Sequence, residues 1–399
     1  MRVLMIAPTS FFSDYGGHIR ILEEMKALGE IGVEVAVVTY YMGKDVPGLD
    51  IRRTAPLPWH TDYEVGSSRH KIAFDVYLAA KAMKEGIKFR PHIIHGHMHE
   101  GALIGGVLAR MIGVPLVFDY QGSLTAEMVD HHFLNPRGRV FPLAYRMESI
   151  ITRGMPHAIL ASSGQASALL ENEFHVPPDR IHSLPDCADT DQFDPARFPY
   201  PASESPVRSL LGIPEGKTVV GYLGLLTDYQ GVPHLIESAV ALRQVGEPVH
   251  FLIMGYPNVD HYKTVAQWRG VDDMITFTGR IPFQEAPDYL AACDITIAPK
   301  MSTSEGSGKL LNYMAMALPI VAYDTPVNRE YLDTLGVYAS PGNVAALTEA
   351  ITRLTHEPDN RVELGRKLRQ RAIEHFSWRN AAKRIVKVYE SLDKMIMPL

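Results

Sequence analysis

Cysteine is almost absent from this 399-residue chain: Cys187 and Cys293 are the whole supply. Two thiols give neither a disulfide framework nor the paired spacing of a zinc finger, and free thiols suit a reducing compartment. No hydrophobic run reaches the roughly 20 residues of a membrane-spanning helix. The opening MRVLMIAPTS offers one basic residue and then only a strand-length apolar stretch, so neither a signal peptide nor a membrane span is expected. An excess of one charge sign is missing too. The 39 basic and 45 acidic side chains are interspersed, for a net charge of −6, which leaves no footprint for nucleic acid. What remains is a globular composition, 46% hydrophobic and 21% charged, expected in the cytoplasm.

A chain of this length is too long for one ordinary core and suggests two domains of roughly 200 residues each. Short apolar runs at 3–7, 35–39, 93–95, 116–119, 158–161 and 181–184 alternate with helix-length segments at 19–28, 73–88, 102–111, 145–152 and 165–173. The runs are apolar on both faces, as parallel strands covered by helices are. This rhythm predicts a doubly wound parallel sheet. DPARFPYPASESP at 194–206, with four prolines in thirteen residues, then reads as a linker. The rhythm resumes with strands at 219–223, 249–254, 275–278, 294–298 and 319–322. The expected organisation is an α/β domain at 1–198, a second at 207–376, and a last segment, 377–399, holding an amphipathic helix with Ala381, Ile385, Val388 and Leu392 on one stripe. Ligands of open α/β sheets bind beyond the carboxyl ends of strands, so a cleft between the domains is where chemistry is expected.

The richest stretch is APKMSTSEGSGKLLNYMAMALPIVAYDTP, residues 298–326. It reads as a strand end, a glycine-bearing loop, a helix from Leu310, and a second buried strand. A loop at a helix N-terminus presents unpaired backbone N–H groups and a favourable dipole to an anion, and Lys309 adds a cation. Gly306, Ser307 and Gly308 would let the backbone approach a phosphate; equally, the glycines would serve an ordinary turn.

This stretch resembles the donor-site signature of the retaining GT-B glycosyltransferases of family 4 (glycosyl transferases group 1), through Met314-Ala315 and Pro319-Ile320-Val321. Three further stretches agree: Tyr15-Gly16-Gly17 before a helix, VVGYLGLLTDYQG at 219–231, and Phe277-Thr278-Gly279-Arg280-Ile281. The resemblance implies two Rossmann-like doubly wound domains facing across a cleft. The second domain would bind a nucleoside-diphosphate sugar, UDP or GDP ahead of others, and the first a glycan, lipid-linked or small-molecule acceptor. Transfer would retain the anomeric configuration, with no metal and no further cofactor required. A lipid-linked acceptor would bring peripheral contact with the inner membrane face, although no basic amphipathic helix stands out in the sequence.

The chain departs from the pattern at several places. The family's second glutamate falls on Asn312, and Glu305 sits one place from the first. An arginine is replaced by Leu225-Leu226, a lysine by Gln230, and a His-Gly by Gln121-Gly122. Neutralising a diphosphate then falls to Lys300, Lys309 or Arg280.

The candidate donor-binding residues are thus Gly16, Gly17, Gly224, Gln230, Gly231, Arg280, Ile281, Lys300, Gly306, Ser307, Gly308, Lys309, Leu310 and Asn312. Glu305 is the leading catalytic carboxylate, able to orient sugar hydroxyls or stabilise oxocarbenium-like charge. Asp119, at a strand end, is a candidate base for the acceptor hydroxyl or a cap on the next turn. His95, His97 and His99 alternate in HGHMHEG; at strand spacing they would share one face. They would serve acceptor-side chemistry with Gln121, or line a cleft, or, with Glu100, His131 and His132, bind a metal. His97 is the third catalytic candidate. Two rival readings stay open: a non-catalytic nucleotide-sugar-binding homologue, and a metal-dependent hydrolase built on the histidine run.

Overall fold

The computed structural model describes residues 1–399 except 13–15, 59–70, 131–132, 302–306 and 397–399. The chain forms two compact units: Met1–Pro185 with Trp378–Leu399, and Asp186–Ser377.

In the first unit the chain runs β1 (Arg2–Ala7), α1 (Gly16–Glu30), β2 (Glu34–Thr39), β3 (Asp50–Arg53), α2 (Lys71–Phe89), β4 (Ile93–His97), α3 (Met98–Ile112) and β5 (Leu116–Tyr120). It continues through α4 (Leu124–Asp130), α5 (Phe141–Gly154), β6 (Ala158–Ala161), α6 (Gly164–Asn172) and β7 (Ile181–Ser183). The seven strands lie in the order β3-β2-β1-β4-β5-β6-β7, and every pairing is parallel. Residues 3–7 of β1 and all of β4, β5 and β6 are buried, because helices cover both faces. Strand order reverses between β1 and β4, so this sheet's binding crevice is expected beyond Ala7 and His97.

The second unit holds α7 (Pro206–Leu210), β8 (Thr218–Leu223), α8 (Val232–Gln244), β9 (Val249–Met254), α9 (Val259–Trp268), β10 (Ile275–Gly279), α10 (Ala286–Leu290), β11 (Ile295–Ala298), α11 (Gly308–Ala315) and β12 (Ile320–Tyr323). Then come α12 (Pro326–Leu332), β13 (Val337–Ala339), α13 (Val344–His356) and α14 (Pro358–His375). Its sheet is β10-β9-β8-β11-β12-β13, again all parallel, with the reversal between β8 and β11. Helix starts follow sequence: Thr325 and Asn343 accept hydrogen bonds from Asn328 N and Ala346 N and so cap α12 and α13.

The proline-rich stretch 194–206 lies within this second unit. Side chains hold it there in place of an apolar pattern. Arg369 of α14 donates to the carbonyl of Phe193 at 2.9 Å and to Asp194 at 2.8 Å. The last helix, α15 (Trp378–Ile396), belongs to the first unit, where it packs on α1 with Ala381, Ile385, Val388 and Leu392 buried.

Candidate active site

The polar residues singled out in the sequence gather in two places, one at the switch point of each sheet.

In the second unit the turn after β8 carries Gly224, and the turn before α8 carries Gln230-Gly231. Gly231 has φ +82°, and a Cβ there would stand 2.2 Å from the carbonyl oxygen of Pro299. Only glycine lets this turn lie against the end of β11. At Gly224 a Cβ would fall 2.7 Å from Lys309 Nζ. The missing side chain leaves the room that the ammonium occupies.

Lys309, in the first turn of α11, reaches across this gap. Its Nζ donates to Gln230 Oε1 at 2.8 Å and to the Tyr222 hydroxyl at 3.1 Å, and lies 4.3 Å from the centre of the Tyr222 ring. Burial, aided by the neighbouring charge of Lys300, pulls its pKa down to about 7. Lys300 itself is buried, and Met301 N donates to Tyr229 O at 3.4 Å, tying the lysine loop to the Gln230 turn. Tyr313 of α11 fixes the other side: its hydroxyl accepts from Leu223 N at 2.7 Å.

The remaining donor candidates divide. Ser307 is buried immediately before α11, its Oγ without a hydrogen-bond partner among the described residues. Gly308 opens the helix and is exposed, whereas Leu310 is fully buried core. Asn312 is half-buried, its carbonyl accepting from Met316 N. Arg280 is exposed and stacks 5.0 Å from the Tyr256 ring, while Ile281 is buried beside it. Leu226 is core, and the Leu225 carbonyl accepts from the Tyr222 hydroxyl at 2.8 Å. Glu305 and Gly306 lie outside the described residues.

In the first unit the centre is Asp119, fully buried at the end of β5. Arg20 of α1 donates to its two oxygens at 2.8–3.2 Å and to the Leu184 carbonyl at 3.0 Å. His97 Nδ1 lies 3.0 Å from Asp119 Oδ2, and Gln121 Nε2 donates to the same oxygen at 2.8 Å. Burial alone would raise the Asp119 pKa, but Arg20 and His97 overcome it and hold the carboxyl well below the usual range. An ionised, fully engaged carboxylate without solvent exposure is a poor base. The alternative role, a cap on the following turn, is filled by Glu148, which accepts from Leu124 N at 2.9 Å and Thr125 N at 3.0 Å.

The three histidines do not share one face. β4 ends at His97, and His99 is already in α3. There it sits edge-on to Phe118 and Tyr120, with Nε2 3.3 Å from Glu148. Met98, at φ +57°, makes the turn that ends the strand alternation. His95 and His97 stack at 4.6 Å, and His95 Nδ1 meets the Tyr389 hydroxyl of α15 at 2.6 Å.

Glu24 of α1 completes the cluster, with Oε1 3.3 Å from His95 Nδ1. Burial, partly opposed by His97, raises its pKa to about 7 and keeps His95 neutral. Glu24, His95 and His97 each offer a ligand atom within 4.8 Å of the others, but Arg20 adds a fixed positive charge beside them. Glu100 is paired elsewhere, with Lys71 at 2.5 Å, and His131 and His132 lie outside the described residues. Arg20, Glu24 and Tyr389 escaped the sequence reading. The signal available was the Arg20/Glu24 spacing of four on α1, which puts both on one helix face. Gly17, the second residue of α1, approaches the network: a Cβ there would lie 3.2 Å from Gln121 Oε1. Gly16 is the first residue of α1.

Two all-parallel sheets, each with a polar cluster at the carboxyl end of its strands, are the architecture of a GT-B fold. Residues 206–374 match the family described as Glycosyl transferases group 1, and residues 16–187 match the Glycosyl transferase 4-like domain. The chain is an enzyme of glycosyltransferase type, related to these two families. It is 26% identical over 370 residues to the 2-deoxystreptamine glucosyltransferase of Streptomyces kanamyceticus, covering 85% of this chain and 89% of that one. Sucrose-phosphate synthase of Thermosynechococcus elongatus shares the fold with a TM-score of 0.80 at 17% identity, over 99% of each chain. Anabaena HepE in complex with UDP shares it at 0.76 and 16% identity, over 98% of this chain and 100% of that one.

Proposed function

We propose that the chain transfers a sugar from a nucleoside diphosphate to an acceptor hydroxyl with retention of configuration, the diphosphate resting on the turns of Gly224 and Gly231 beneath Lys309. The carrying observation is the contact of Lys309 Nζ with Gln230 Oε1. The sequence puts a neutral glutamine where the resemblance has a lysine. Lys309 brings a cation to that same point through space. Held near pKa 7 without a ligand, it gains its full charge when a diphosphate arrives. Stabilising the leaving group's charge in this way assists departure of the nucleotide without a metal ion.

The first unit is proposed to receive the acceptor at the half-buried Gln121 beside Gly17. Arg20, Asp119 and His97 act as positioning residues that fix the Gln121 amide, since none of the three is exposed enough to touch a substrate. Glu305 remains the proposed carboxylate near the transferred sugar. The glucosyltransferase relative acts on 2-deoxystreptamine, which supports a small polyhydroxylated acceptor here as readily as a glycan. Thermal unfolding with UDP, GDP, ADP and CDP tests the donor site. A ligand at 100 times its Kd adds about 2.7 kcal/mol, enough for a shift of several degrees. One diphosphate raising the melting temperature, with or without chelator, is the expected outcome. No shift with any of the four would remove this reading.

A further inference from the structure

The two turns that meet beside Lys309 show solvent an apolar pair. Gln230 and Lys300 are buried, 7% and 6% exposed, whereas their neighbours Tyr229 and Met301 are 45% and 40% exposed. The exposed residues oppose each other. Met301 N donates to Tyr229 O at 3.4 Å, and two positions along a Cβ on Gly231 would meet Pro299 O at 2.2 Å. Residues 229–231 and 299–301 thus lie side by side, running in opposite directions. Polar groups of the first turn are engaged elsewhere or withdrawn. The Asp228 carboxylate accepts from the Tyr262 hydroxyl of α9 at 2.7 Å, the Leu225 carbonyl from Tyr222 at 2.8 Å, and Gln230 Oε1 from Lys309 Nζ at 2.8 Å. The Thr227 hydroxyl oxygen is out of reach of solvent. The Tyr229 phenol is close enough to that of Tyr222 to help raise its pKa, after burial and Tyr313, and Tyr222 in turn accepts from Lys309 Nζ at 3.1 Å. The exposed ring therefore stands in the neighbourhood of the lysine.

We propose that Tyr229 and Met301 form the platform on which the sugar of the donor lies, one C–H face of its pyranose ring against the phenol ring and the thioether. The inference rests on the placement of the diphosphate beneath Lys309. Phosphate oxygens call for N–H groups, hydroxyls and cations, which the lysines and the glycine turns supply. A bare ring and a thioether beside that turn offer a phosphate nothing. They match the group joined to the second phosphorus through a single oxygen. A pyranose chair carries its hydroxyls around the edge and C–H bonds on its faces, so a face can be buried on carbon and sulfur while the hydroxyls keep polar partners. The pair also sits in the right place, one residue from Gln230 on one side and one residue from Lys300 on the other. Two side chains are too small an apolar area for a protein partner. Every pyranose chair has such a face, so the platform fixes the tilt of the ring, and with it the anomeric carbon, and leaves the choice among epimers to polar groups at the ring's edge.

Isothermal titration of the full chain with a nucleoside diphosphate, and with the glucose ester of the same diphosphate, separates sugar from phosphate. The ligands are UDP and UDP-glucose, or the GDP, ADP or CDP pair where the thermal screen selects that base. Tyr229→Ala/Met301→Ala should lower the affinity for the ester, relative to the diphosphate, on the order of tenfold, the upper end of what an aromatic contact contributes. Affinity for the diphosphate itself should be unchanged, which also shows that the variant is folded. Tyr229→Phe keeps the ring and should behave as the parent. An ester-to-diphosphate ratio unchanged from the parent's, whether neither affinity falls or both fall alike, would overturn the proposal. So would a Tyr229→Phe variant that loses as much ester affinity as Tyr229→Ala/Met301→Ala, because the hydroxyl and not the ring would then be the contact. Absence of diphosphate binding to the parent chain is a different failure: it would remove the donor reading itself, and this inference with it.

Discussion

Replacing Lys309 by methionine separates its charge from its bulk. Without ligand the ammonium has a pKa of about 7, against an ordinary 10.5. A bound diphosphate supplies the opposite charge that burial had taken away, and the pKa returns toward its ordinary value. Below pH 7 the free lysine already carries its proton, and affinity for the nucleotide is level. Above pH 7 the free lysine is neutral, so binding must take up a proton and affinity falls about tenfold per pH unit. At pH 8 uptake amounts to about 0.9 proton per nucleotide bound. Lys309→Met should abolish that uptake, flatten the slope, and weaken binding roughly ten- to a hundredfold at pH 6, from about 1.5–3 kcal/mol for a hydrogen bond to a charged group, the difference shrinking about tenfold by pH 8. Isothermal titration at pH 6 gives the affinities, and at pH 8, in two buffers of different ionisation enthalpy, the proton uptake. Unchanged affinity in the variant at pH 6, or no uptake by the parent chain at pH 8, would refute the placement of the diphosphate beneath Lys309.

Three further perturbations address other parts of the site. Asp119→Asn leaves Arg20 buried without its counter-charge and should cost about 3–5 kcal/mol at neutral pH in denaturant unfolding. Because the folded-state pKa of Asp119 is depressed, its contribution is present above about pH 4, the unfolded value, and is lost as pH falls below it; the variant and parent stability curves should therefore converge in acid. Gly231→Ala forces a Cβ against Pro299 O in a left-handed turn, so nucleotide-dependent thermal stabilisation should vanish, with about 1–3 kcal/mol of stability lost. Glu305→Gln should lower kcat at least about a hundredfold with nucleotide affinity intact, as read by steady-state kinetics against equilibrium binding; loss of binding instead would make Glu305 a donor ligand and not a catalytic group.

Much of the architecture could be read from periodicity, because strands buried on both faces announce themselves as unbroken apolar runs. The two strands that escaped lacked that mark. β3 is DIRR, a polar edge strand, and β13 is three residues long. The site was legible as residue types and not as contacts. Lys309 and Gln230 were both singled out, yet nothing local says that side chains 79 positions apart touch. The histidine alternation misled for a definite reason: a period of two predicts one face only while the strand lasts, and Met98 turns the chain one residue too early for His99. Arg20 and Glu24 look like the solvent side of an amphipathic helix. They are buried because a helix from the far end of the chain lies over them.

That return has a consequence for how the first unit closes. The unit 186–377 is continuous in sequence and needs no distant segment to complete its fold. The unit that begins first cannot close until α15 arrives to bring Tyr389 to His95 and shield α1. A chain cut after His375 would leave the nucleotide turn whole and expose Arg20, Glu24 and His95, so the damage from a C-terminal truncation would surface at the opposite end of the sequence.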